Sequence, residues 1–289
     1  MQFLWGLAGS GICASLAAKG YKVRAMVRAP SNPDRVNALK GLGIELVTGD
    51  LRDPSSLQTA CAGMEAVITT VSSMPFSYQP GNDIQSVDLD GDTSLIAAAK
   101  EAGVRQFVYT SFTGNITRSF PLGDAKRTVE QRVKMSGMMY TILRPGYFME
   151  VWLSPAVGFD AANAKATIYG TGDQQISWIA VQDVVAFAVA ALENPSACNA
   201  IIEMGGPAAV SPNRVIALFE KNTGRKFEVV QVPPEALQQQ FDQATDPMQK
   251  SFAALMLSYA KGDPIEMKET ARTFGIQLKS IEQFVQGAA

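Results

Sequence analysis

The sequence predicts an α/β fold: a Rossmann-type doubly wound parallel sheet with helices on both faces and a smaller C-terminal α+β substrate domain. Three observations carry that expectation. Short β-branched runs alternate with helix-like segments to about residue 150, the order that right-handed crossovers turn into a parallel sheet. The chain opens on a short apolar run, Phe3-Leu4-Trp5, then a glycine-rich turn with Gly6, Gly9 and Gly11, then a helix of small residues ending at Gly20. A second strand-like run, Lys22 to Val27, follows at once. The opening therefore reads as half of a βαβ unit of the kind that holds a dinucleotide.

Glycines are needed there because a pyrophosphate packs against the backbone and takes the unpaired N–H groups of the helix. Gly6 and Gly9 fit the first two glycines of a Gly-x-x-Gly-x-x-Gly loop, with Ile12 in third place. Counted back from Gly20, they become the second and third, and Phe3 replaces the first. The former register is preferred, since a central strand needs about five residues and Met1 to Trp5 supply them. Candidate cofactor contacts in this loop are Gly6, Ala8, Gly9, Ser10 and Gly11.

A chain of 289 residues that is 47% hydrophobic can bury a large core. The expected division is a nucleotide-binding domain over 1–150, with 176–206 returning to it, and a smaller substrate-side domain from 151–175 and 207–289. A net charge of −2, with no basic run interleaved with aromatics, argues against nucleic acid as a partner. There is no histidine, which excludes histidine bases, serine-histidine triads and histidine metal sites; no metal site is expected. Cys13, Cys61 and Cys198 lack metal-ligand spacing and read as reduced core thiols. Phe3 to Ala18 is uncharged, but it lacks a positive start and carries three glycines, so it reads as neither a leader nor a membrane span. The expectation is a cytoplasmic protein, monomer or homodimer, with a small-molecule substrate and no membrane contact.

At the end of the second strand stands Arg28, where an acidic residue would bind ribose hydroxyls. A guanidinium there suits a 2′-phosphate and favours NADP over NAD; the alternative is an arginine exposed at a strand end. Val36 to Leu42 reads as a short helix, Ile44 to Thr48 as a strand, and Asp50 with Leu51 as a polar and an apolar contact over the adenine. Asp53 and Ser55 can equally begin the helix Ser56 to Cys61. Ala66 to Val71 reads as a buried parallel strand that runs into Ser72, which makes Thr70, Val71 and Ser72 candidate cofactor contacts. The loop through Phe76, Tyr78 and Pro80 is a candidate substrate lining.

Asp88 to Gly103 reads as a long helix, Gln106 to Ser111 as a strand, the stretch around Asp124 to Arg132 as a helix, and Tyr140 to Leu143 as the next strand. Val151 to Ala166 reads as irregular, and Val184 to Leu192 as an apolar helix. Ala200 to Met204 reads as a strand, and Ser211 to Thr223 as a helix capped by Ser211 with Pro212 at its first position. A strand over Phe227 to Val232 and helices over Pro234 to Gln240 and Asp246 to Tyr259 complete the chain.

With those residues laid out, the chain resembles the NmrA-like branch of the atypical short-chain dehydrogenase/reductase superfamily. The segments that carry the resemblance are Tyr21 to Arg28, Gly49 to Asp53, Gly103 to Ser111, Asp124 to Glu130, Ser136 to Glu150 and Ile176 to Asp183. The resemblance implies that Lys126 holds the nicotinamide ribose, and that Ser111, Pro145 and Tyr147 lie near the nicotinamide. It also implies a tyrosine four residues before the lysine, where this chain has Leu122, so the usual proton relay is broken. Lys126 and Ser111 are the candidate catalytic residues. A bland reading stays beside this one: Lys126 pairing with Asp124 or Glu130 on an exposed helix face. Two functions follow. One is an NADPH-dependent reductase of a small carbonyl, quinone or enone; the other is a non-catalytic NADP(H)-binding redox sensor.

Overall fold

The computed structural model describes residues 7–29, 33–75 and 77–287. The strand expected over Met1 to Trp5, the loop residue Gly6, and Phe76 lie outside them. The elements in order are α1 (Leu7–Ala18), β1 (Arg24–Val27), α2 (Pro33–Gly41), β2 (Glu45–Thr48), α3 (Pro54–Cys61), β3 (Ala66–Thr69), α4 (Asp92–Glu101), β4 (Gln106–Thr110), α5 (Pro121–Met135) and β5 (Met139–Pro145). They continue as β6 (Tyr147–Phe148), α6 (Met149–Trp152), β7 (Phe159–Asp160), β8 (Lys165–Tyr169), β9 (Trp178–Ile179), α7 (Val181–Ala190) and β10 (Ala200–Met204). The last are α8 (Pro212–Thr223), β11 (Glu228–Val232), α9 (Pro234–Gln243), α10 (Pro247–Lys261), α11 (Lys268–Phe274) and α12 (Ile281–Gly287).

Packing divides the chain into two compact units. The first comprises 1–112, 122–144 and 185–202. Among the described residues its main sheet has the order β10-β5-β4-β3, and β1 pairs with β2 in parallel. β3, β4 and β5 are parallel and in register, so Thr69, Tyr109 and Ile142 stand level near their carboxyl ends. That edge is where an open α/β sheet presents its functional groups. Phe107, Val108 and Tyr109 of β4 are each fully buried, as a strand covered on both faces requires. The core they join takes Leu57, Ala60 and Cys61 from α3, Leu95, Ile96 and Ala99 from α4, and Val129 and Val133 from α5. Burying each of the larger side chains contributes roughly 1.5–3 kcal/mol.

Local chemistry explains the boundaries. Asp53 caps α3, accepting from the Ser55 N–H with Pro54 in the first turn, so the capping reading of that segment holds. The long helix before β4 starts at Ile84 rather than Asp88: Asp83 and Ser86 cap each other, and Ile84–Gly91 is wound as a π-helix that runs into α4. β3 stops at Thr69, and Thr70 and Val71 follow it outside the strand. Ala8, Gly9 and Ser10 lie within α1. Gly11 has a packing role, since a Cβ there would stand 3.0 Å from Cγ2 of Val185. Cys13 and Cys61 are buried, and burial pushes the Cys13 thiol up to about 12. Cys198 is exposed, in the turn before β10, and is not a core thiol.

The second unit comprises 113–121, 145–184 and 203–289. In its three-stranded sheet β11 runs parallel and β7 antiparallel to the central β8, while β6 and β9 form a parallel pair. The region expected to be irregular thus contains α6, β7 and the start of β8. An aromatic cluster fills the core: the Tyr147 ring lies 4.7 Å from Trp152, 5.9 Å from Tyr259 and 6.4 Å from Trp178. Ser211 caps α8 with Pro212 in the first turn, as expected. α11 and α12 were not foreseen; the first has no buried residue and so no apolar period to read. Among the described residues no helix is long and apolar enough to cross a membrane, and no cluster of acidic or cysteine side chains could hold a metal ion.

Candidate functional site

The site is built at the carboxyl edge of the first unit's sheet. α5 delivers Lys126 there, and its side chain is buried rather than laid along an exposed helix face. Nζ donates to the Val71 carbonyl at 2.7 Å, stands 3.3 Å from Asp88 Oδ1 and lies 5.3 Å from the centroid of the Tyr109 ring. Asp88 comes from the π-wound segment and is fully buried. Its other oxygen, Oδ2, accepts from the Ser73 N–H at 3.0 Å and the Ser73 hydroxyl at 2.6 Å. Neither end of the ion pair can swing, because each is also bonded to the segment that follows β3.

One helical turn beyond Asp88 is Asp92, also fully buried, whose Oδ1 accepts from the Thr69 hydroxyl at 3.3 Å. Burial pushes its carboxyl up to about 7 and the Asp88 charge adds to that, against the Lys126 charge and the Thr69 and Tyr109 hydroxyls. Between the ordinary value of 3.8 and about 7, the folded protein holds a proton that the unfolded chain has released. Stability from this group is therefore full below pH 4 and lost as pH rises through 7. We expect thermal melts across pH 4–8 to show such a decline, on the order of 3–4 kcal/mol, and Asp92→Asn to flatten it. An unchanged slope in the variant would assign the decline to other groups.

Glu130, on the same helix as Lys126, is the partner of two arginines. Arg144 reaches it through Nε at 3.0 Å and through Nη2, and Arg127 joins from one turn away. Burial acts to raise the Glu130 carboxyl, but its hydrogen bonds with Arg144 and Ser111 and the charges of Arg127 and Arg144 hold it below the usual range. Arg127 also donates to the Ser111 hydroxyl and the Phe112 carbonyl, each at 3.2 Å, and stacks on the Phe112 ring. Ser111 is thus engaged by Arg127, with its N–H on the Leu143 carbonyl, while Lys126 is held by Val71 and Asp88.

The remaining expected residues are dispersed. Leu122 is buried where the resemblance calls for a tyrosine. Ala8, Gly9 and Ser10 lie in α1; the residues four before them lie outside the described ones. Arg28 is half-buried and donates through Nη1 to Asn82 Oδ1. The Asp50 carboxylate takes Arg52 at 2.8 and 2.6 Å; those bonds, with a smaller contribution from the Arg28 charge, hold it below its ordinary value. Leu51 is core, only 1% exposed, so it offers backbone rather than side chain. Ser72 is half-buried, its hydroxyl accepting from the Met74 N–H. Pro145 and Tyr147 belong to the second unit: the Pro145 carbonyl takes the Thr113 N–H at 2.9 Å, and Tyr147 is 2% exposed within the aromatic core.

Sequence reasoning missed Asp88, Asp92 and Asn82. A signal for the first two was present, because acidic residues four apart lie on one helical face and here share it with Leu95 and Ala99. Two buried hydroxyls at the sheet edge, Thr70 Oγ1 after β3 and Thr110 Oγ1 at the end of β4, have no hydrogen-bond partner among the described residues. Polar atoms left so are suited to a ligand or a water.

Comparison with known proteins bears on the family and the fold. The chain is 30% identical over 275 residues to an isoflavone reductase homolog of Zea mays, covering 89% of this chain and 84% of the relative. It is 30% identical over 236 residues to an NAD(P)H azoreductase of Xenophilus azovorans, covering 81% and 77%. Among solved structures, the NADPH-dependent quinone oxidoreductase QOR2 of Escherichia coli, complexed with NADPH, matches with a TM-score of 0.79 over 99% of this chain and 98% of that one, at 22% identity. That likeness confirms the Rossmann-like α/β fold. The family model for the NmrA-like family matches residues 5–284, and the chain belongs to that family.

Proposed function

We propose that this chain is an NAD(P)H-dependent oxidoreductase that prefers NADPH and reduces a small quinone, enone or carbonyl. One observation carries the reading: a buried lysine ammonium fixed by Val71 and Asp88 at the carboxyl edge of a parallel sheet. The relatives named as reductases of an azo compound and a quinone support it. The residues present fit a dinucleotide, since Thr70 and Thr110 hold unpartnered buried hydroxyls at that edge.

In this reading Ala8, Gly9, Ser10 and Gly11 receive the pyrophosphate, Arg28 the 2′-phosphate, Asp50 and Leu51 the adenosine end, and Thr70, Val71 and Ser72 the nicotinamide half. Bound there, NADPH supplies a hydride. Lys126 holds the nicotinamide ribose hydroxyls, and its charge favours negative charge developing on a reduced substrate oxygen. Leu122 cannot give a proton, which favours acceptors whose anion is stabilised by conjugation and is protonated by solvent. We place the protein in the cytoplasm, with Cys13 and Cys61 as reduced core thiols.

The same Leu122 favours a second reading, a sensor that binds NADP(H) without turnover. Steady NADPH consumption against a panel of quinones and enones separates the two. We expect turnover with at least one acceptor. Tight NADPH binding with no consumption across the panel would assign the sensor, and no binding of either nucleotide would remove both.

A further inference from the structure

Arg28 projects from the end of β1 on a long, flexible side chain, and a charge that distinguishes two nucleotides must be aimed. The aiming group is Asn82, which is 2% exposed in the segment between β3 and α4. Both ends of its amide are taken: Oδ1 accepts from Arg28 Nη1, and Nδ2 donates to the Ser77 carbonyl at 2.6 Å. Its backbone closes a tight turn with Gln79, N–H to carbonyl in both directions at 2.8 and 3.2 Å. Gly81 supplies the left-handed residue of that turn, at φ +74°. The Gly81 carbonyl is held in turn by Arg52 Nη1, and Arg52 is locked on Asp50. On the other side Asp83 starts the helix by capping it.

The Asn82 backbone is thus fixed in a turn pinned on both flanks, and its side chain cannot rotate without losing the bond to Ser77. A guanidinium is planar and carries its N–H donors in a fixed fork, so seating one of them on a fixed oxygen sets the plane in which the others point. We infer that Asn82 is a positioning residue that sets the preference for NADPH over NADH by holding the Arg28 guanidinium in the orientation that meets the 2′-phosphate. This rests on the cofactor reading above and adds to it a residue that touches neither nucleotide.

The test is the ratio of dissociation constants for NADH and NADPH, measured by quenching of protein fluorescence in the full-length protein. Asn82→Leu keeps the volume and removes the acceptor. It is expected to weaken NADPH by about tenfold, the size of a charged hydrogen bond, and NADH by less than about twofold. Asn82→Asp keeps the shape and sets a carboxylate against Arg28; it is expected to lower the same ratio, and it serves if the leucine variant does not fold. In an Arg28→Ala background neither substitution should change the ratio further. A role confined to the turn would weaken both nucleotides equally and leave the ratio alone, which overturns the inference. If Arg28→Ala collapses the ratio and the Asn82 variants do not, the inference fails while the cofactor reading stands. If Arg28→Ala itself leaves the ratio unchanged, both fail.

Discussion

Replacing Lys126 with methionine is expected to lower kcat/KM for NADPH-dependent reduction by about a hundredfold or more, the loss that follows removal of one preorganised charged donor from an active site. The expectation rests on placement. The ammonium is bonded to the Val71 carbonyl at the sheet edge and faces a buried carboxylate, so it is oriented before any ligand arrives. Steady-state rates of NADPH oxidation with the best acceptor measure the effect. A variant within threefold of the parent would show that Lys126 serves the fold alone. Methionine keeps the length of the side chain and removes the charge, so packing against Tyr109 is largely retained.

The second large effect concerns stability. Asp88→Asn leaves an acceptor for the two Ser73 bonds but withdraws the charge that faces Lys126. Breaking one side of a buried ion pair strands the other, and we expect a loss of about 3–5 kcal/mol. For a chain of this size that lowers the melting temperature by on the order of 10 °C. The double variant Asp88→Asn/Lys126→Met is expected to recover at least half of the loss, because no buried charge is then left alone. Equal melting temperatures for the single and double variants would mean that the two groups do not interact. The double variant also separates the effects on activity and folding: it should melt above the Asp88→Asn variant and remain inactive.

Much of this architecture was legible in the sequence, and the parts that were not have physical reasons. The parallel sheet announced itself because β3 and β4 are β-branched or aromatic and nearly uncharged, as strands covered on both faces must be. Lys126 was legible only through resemblance; its neighbours Asp124 and Glu130 offered a surface ion pair just as readily. Burial removes the surface-pair reading, and burial of one lysine is a property of three segments that meet in space: the stretch after β3, the π-wound segment and α5. Asp88 and Asp92 were passed over within a predicted helix, because an acidic residue carries no mark of its partner. Asn82 sits in a loop without periodicity, and its meaning depends on Arg28, which is far from it along the chain.

The first unit is assembled from three separate stretches, 1–112, 122–144 and 185–202, and this affects how the protein can be handled. β10, from the last stretch, is what covers the outer edge of β5. A fragment cut after residue 150 would lack it and leave the unsatisfied backbone of β5 open to pair with other chains. During synthesis, too, that flank stays uncovered until the ribosome has passed residue 204, so chaperone dependence and inclusion-body formation should fall most heavily on products that terminate before it.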